Sequence, residues 1–153
     1  MSFVDLMGND VWSPADIDAR VAQLIRSQYS SDDELKAARL ARKTDQTPGD
    51  VAFMEAVDAW IAQCVQEGSD ARADMALLAQ VFPMEDAKRR LDQPVVEPEY
   101  DEDGNLSNED AILQDEAERV DAQEVIDGAS SDAKILFDLR NPPLIETNPS
   151  EDI

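Results

Sequence analysis

At Ser13, Ser31, Thr47 and Ser107 a Ser or Thr is followed within three positions by an acidic residue and then by apolar residues at helical spacing. That recurring start signal commits most of the sequence to helices. In Trp12-Ser13-Pro14-Ala15-Asp16 the Ser13 hydroxyl can accept from the first turn, Pro14 occupies the position where its missing N–H costs nothing, and Asp16 sits at the positive end of the dipole. Ile17, Val21, Leu24 and Ile25 follow as one stripe over 14–28, with Trp12 placed as a hydrophobic staple.

Ser31-Asp32-Asp33-Glu34 has capping-box spacing and predicts a shorter helix with an inner face of Leu35, Ala38 and Leu40 or Ala41. Thr47-Pro48-Gly49-Asp50 opens the widest stripe, Phe53, Met54, Val57, Trp60, Ile61, Cys64 and Val65, which predicts the core helix. Gly68-Ser69-Asp70 reads as its end or an interruption. Met75, Leu78, Val81 and Phe82 carry the pattern to Pro83, and Met84, Ala87 and Leu91 read as one more short helix. Ser107-Asn108-Glu109-Asp110 starts a helix over about 108–127 that Gly128 stops. Its predicted seam is Ile112, Leu113, Ala117, Val120, Glu124 and Val125.

Charge divides the chain. Residues 1–91 hold 16 acidic and 10 basic side chains, against 19 and 3 in 92–153, and Pro94 and Pro98 mark the change. Leu, Ile, Val and Phe number 35 of 153, enough for a small core, while 20 alanines add helix propensity with little burial energy. The sequence therefore predicts an all-α fold: a small helical bundle at 1–91, an acidic linker at 92–106, an acidic helix at 107–128, and an extended C-terminal tail at 129–153.

Composition also removes function classes. There is no histidine, and the single cysteine precludes an intrachain disulfide and a structural zinc site. No phosphate-cradling glycine motif occurs, so no enzyme activity and no cofactor are expected. A net charge of −22 is repelled by phosphate backbones and anionic membranes, so neither direct nucleic-acid binding nor membrane binding is expected. The N-terminal stretch lacks a basic n-region and a long apolar h-region, which predicts a cytoplasmic chain. Glu99 to Asp110 aligns on the twelve-position calcium loop. Glu at the first position, the short Asp110 at the last and the prolines before it favour an acidic turn leading into a helix cap.

Two groups are candidates for partner binding. Ile135, Leu136, Phe137 and Leu139 set four large apolar residues in five positions before Pro142 and Pro143, as in a docking peptide; a turn tucked onto the protein's own core is the other reading. Lys36, Arg39, Arg42 and Lys43 gather four of the 13 cations on one short helix, either a solvated face or a dock for an acidic partner.

Leu6-Met7-Gly8-Asn9-Asp10-Val11-Trp12-Ser13-Pro14-Ala15-Asp16-Ile17, the stretch Ala71 to Leu78 with Ala87 to Leu91, and the closing Ala117-Glu118-Arg119, Val125 to Ser130 and Arg140-Asn141-Pro142-Pro143 resemble small acidic helical proteins of tailed bacteriophages, associated with the tail or tail fibre. The likeness is poorest over 30–50. It implies a non-enzymatic structural or adaptor protein that binds a tail fibre, baseplate or other tail protein, oligomeric in the particle. It would be found in the host cytoplasm during assembly and then in the virion tail. The alternatives are a tail or tail-fibre assembly chaperone absent from the mature virion, and an anionic DNA mimic that inhibits a host defence enzyme.

Overall fold

The computed structural model describes residues 2–143, and the chain is all-α. Its helices are α1 (Pro14–Arg26), α2 (Ser31–Ala41), α3 (Pro48–Asp92), α4 (Glu109–Asp127) and α5 (Ser131–Arg140). Two compact units divide them, Met1–Ala76 and Leu77–Ile153, with the division falling inside α3 rather than at the compositional change near 91.

Local chemistry starts the first three helices in the same way. Ser13 with Asp16, Ser30 with Asp33, and Thr47 with Asp50 each form a reciprocal capping box, hydroxyl to backbone N–H and carboxylate to backbone N–H. These three carboxyls titrate below the usual range, chiefly because the cap residue's own N–H donates to them. The second box is one residue earlier than the sequence spacing indicates: Ser30, not Ser31, is the cap. The inner face of α2 shifts accordingly. Ala37 is buried and Leu40 half-buried, whereas Leu35, Ala38 and Ala41 are exposed.

The first unit is built on α1, α2 and the front of α3. Its core holds Ile17, Val57, Cys64 and Ala71, with Val4 and Ala37. Trp60 is half-buried, and its indole N–H donates to the Leu24 carbonyl at 3.1 Å. That carbonyl lies in the last turn of α1, and Ser27 Oγ also donates to it, so an orphaned helix-end acceptor is satisfied twice. Trp60→Phe removes one donor and leaves the other, and it is expected to cost about 0.5–1.5 kcal/mol in urea unfolding. Trp12 meets Phe3 with ring centroids 5.5 Å apart.

The expected interruptions in α3 do not occur. Gly68 is buried within the helix, where its missing side chain admits α1: a Cβ there would lie 2.6 Å from Val21 Cγ2. Pro83 lies inside the helix too, so no separate short helix follows it. Pro83 and Ala79, whose carbonyl loses its i+4 donor, are both exposed to water. Leu78, Val81, Met84 and Ala87 on either side are buried, and their packing holds the helix through the proline.

In the second unit α4 and α5 contribute Ala122, Ala133 and Leu136 to the core beside those α3 residues. The stretch read as an extended tail thus contains a fifth helix, while the end of that tail, 144–153, lies outside the described residues. No helix among the described residues is long and apolar enough to cross a membrane.

Candidate functional site

Helix α4 carries the one buried carboxylate, Asp115, among the described residues, at 4% exposure. Arg90 Nη2 donates to its Oδ1 at 2.6 Å, while Arg119 Nε donates to Oδ2 at 3.0 Å and the Val96 N–H at 3.4 Å. Arg90 also forks onto Glu118 Oε2, at 3.0 Å from Nε and 2.8 Å from Nη2. Arg119 uses its remaining nitrogens on the Leu91 and Gln93 carbonyls at 2.9 and 2.6 Å, satisfying acceptors at the end of α3. One cluster therefore joins the end of α3, the linker at Val96 and the inner face of α4.

The Arg90 and Arg119 hydrogen bonds hold the Asp115 carboxyl down at about 2, against the usual 3.8, although burial opposes this. A folded-state value below the unfolded one means that Asp115 stabilises the fold fully above about pH 4 and loses that contribution as pH falls toward 2. Asp115→Asn is accordingly expected to be less stable than the parent at neutral pH and to converge with it in acid. Urea unfolding at a series of pH values checks this. The hydrogen bonds of Asp115, Arg90 and Arg119 run within the fold and tie together the end of α3, the linker and α4.

The acidic loop is closed in the same self-contained way. Asp101 Oδ1 accepts from the N–H groups of Asp103 and Asn105, Gly104 takes φ +80°, and Tyr100 bridges to Leu106. The Asn108 side chain does not cap α4; it accepts from the Glu99 N–H and donates to the Glu97 carbonyl, fastening the two ends of the loop. Among the described residues no group of three or more potential ligands is arranged to hold a metal. The Cys64 thiol is buried, and burial first and Glu67 second raise its pKa. A surface groove of about 690 Å³ runs past Phe3, Val11, Trp12 and Arg20.

The sequence-derived candidates divide. Leu136 is buried in the core and Phe137 is half-buried with Lys88 Nζ 5.9 Å from its ring, whereas Ile135 and Leu139, one turn apart, are 60% and 63% exposed. The four cations do not all lie on one helix: Lys36 and Arg39 are on α2, Arg42 is its C-cap and Lys43 follows it. Lys36 Nζ lies 4.7 Å from the Phe53 ring centroid and Lys43 pairs with Asp50 at 3.2 Å. Arg39 and Arg42 are exposed and make no ion pair among the described residues. The expected seam of α4 is displaced. Its inner face is Ile112, Asp115, Arg119, Ala122 and Ile126, and Leu113, Ala117, Val120 and Val125 are exposed. The signal that could have located it is the Asp115, Arg119 pair at i, i+4, in line with Ala122 and Ile126.

No protein-family model, curated protein or solved structure matches the chain. The outward apolar residues of α4 and α5 are the candidate interaction surface, presented by helices whose other faces are occupied inside the unit.

Proposed function

We propose that this chain is a non-enzymatic tail-associated bacteriophage protein that attaches to another tail protein, a fibre or baseplate component, through the exposed side of α5. The phage setting, assembly in the host cytoplasm and residence in the virion tail, comes from the sequence resemblance. The observation that carries the attachment is the pair Ile135 and Leu139, exposed one helical turn apart while Ala133 and Leu136 anchor the same helix in the core. A rigid helix presenting two large apolar side chains loses little conformational entropy on docking, which favours binding over a loose peptide of the same composition. On α4, Leu113 and Val120 interleave with the outward carboxylates. This favours a protein partner over mimicry of a phosphate backbone, where an unbroken array of charge is needed.

The test is mass spectrometry of purified particles, with the parent chain and with Ile135→Ser/Leu139→Ser. The parent is expected in the particles, and the variant is expected to keep its helicity but to be lost from them. A parent chain absent from mature particles would point to the assembly chaperone, and undiminished incorporation of the variant would remove α5 as the attachment element.

A further inference from the structure

The outward face of α4 has its own partner chemistry, independent of the α5 attachment. Leu113, Ala117 and Val120 stand at i, i+4 and i+7, which places them in one row, and Leu113 and Val120 are 55% and 58% exposed. Around that row the sequence places Glu109, Asp110, Glu116, Asp121, Glu124 and Asp127, all exposed. None of these six enters an ion pair among the described residues. Arg119, the one cation of α4, is turned inward onto Asp115 and the carbonyls at the end of α3. The face is thus a short apolar row rimmed on both sides by uncompensated negative charge.

We infer that this face docks an amphipathic helix of another protein, one whose apolar stripe is flanked by Lys or Arg. Apolar contact along the row would supply attraction, and the rim would select sign and speed encounter, since rim charges act mainly on association rate and salt dependence. A second copy is the less favourable occupant, because each chain carries a net charge of −22 and the face would meet a like-charged molecule.

The experiment titrates the full chain with three labelled synthetic peptides: an amphipathic Leu/Lys helix, a scrambled peptide of identical composition without the stripe, and an amphipathic Leu/Glu helix. The Leu/Lys helix is expected to bind, and to weaken as salt is raised and the Debye length contracts from about 10 Å at 0.1 M. Leu113→Ser/Val120→Ser, outward substitutions whose helicity is verified by circular dichroism, are expected to weaken it roughly tenfold or more. The other two peptides are expected to bind at least as weakly as the Leu/Lys helix does to that variant. Equal binding of the scrambled peptide would reduce the effect to general polyanion attraction and overturn the inference. So would Leu/Lys binding unchanged by the two serines, or equal binding of the Leu/Glu helix. Concentration-dependent dimerisation in sedimentation, abolished by the same serines, would assign the face to a second copy and equally overturn it. Because Ile135 and Leu139 are untouched, failure here leaves the α5 reading standing, and a failed particle test leaves this one standing.

Discussion

Deleting residues 131–153 is expected to melt the helical structure of the Leu77–Ile153 unit rather than to trim a tail. The deletion removes Ala133 and Leu136 from a core whose other members are Leu78, Val81, Met84, Ala87 and Ala122. Loss of a buried leucine side chain alone costs about 2–5 kcal/mol in comparable cores, a large part of a small domain's stability. The end of α5 is also fastened. Arg140 Nη2 pairs with Glu85 at 3.0 Å and the guanidinium lies 5.2 Å from the Phe82 ring centroid. Asn141 Nδ2 reaches Glu85 Oε2 and the Phe137 carbonyl, each at 3.0 Å. After deletion Glu85 keeps its charge without these partners. A thermal melt followed by far-ultraviolet circular dichroism checks this, and an unchanged curve would show that α5 is an appendage. A loss of particle incorporation by this truncation would therefore say nothing about docking, which is why the attachment test uses two outward serines.

The second large effect is expected at Gly68. Valine there must place atoms where Val21 Cγ2 already stands, 2.6 Å from an ideal Cβ, with Ile17 Cγ2 at 4.0 Å. A helical valine has one strongly preferred rotamer, so Val21 cannot swing aside cheaply, and the overpacking should cost about 1–3 kcal/mol. Gly68→Ala sets two terms in opposition: about 1 kcal/mol gained in helix propensity against the same close contact. The contact is expected to win, making Gly68→Ala destabilising by itself. In a Val21→Ala background the sign should reverse, because the space is then open and only the propensity remains. Chemical denaturation of the four-member cycle measures the coupling directly. A stabilising Gly68→Ala in the parent would mean that α1 does not sit against α3 at this distance.

Where the sequence was legible, the physics was local. Ser13, Thr47 and the Gly128 stop of α4 are set by hydrogen bonds within one turn, and their positions could be read from residue types. The continuity of α3 was not legible in this way. Gly68 and Pro83 have the local character of helix breakers, and only the packing of Val21 against one and of the buried residues flanking the other overrides it. The faces of α2 and α4 were misplaced for a related reason. Periodicity assumes that the largest apolar residues point inward, whereas α2 buries Ala37 and exposes Leu35, and α4 buries Asp115 and Ala122 and exposes Leu113 and Val120. An aspartate goes inside because Arg90 and Arg119 meet it there, and Arg90 is 25 residues away, beyond the reach of any local rule. That the apolar cluster of 135–139 would split between core and surface follows from its helical form, which a short run before two prolines does not announce.

Both tryptophans, Trp12 against Phe3 and Trp60 against the Leu24 carbonyl, belong to Met1–Ala76. Emission excited at the red edge of the indole band consequently watches one half of the molecule, whereas peptide-bond absorption weighs every helix. The chain thus carries a built-in partial reporter: coincident traces from the two signals would mark a single cooperative transition, and separated traces would date the loss of each unit in turn without a label or a mutation.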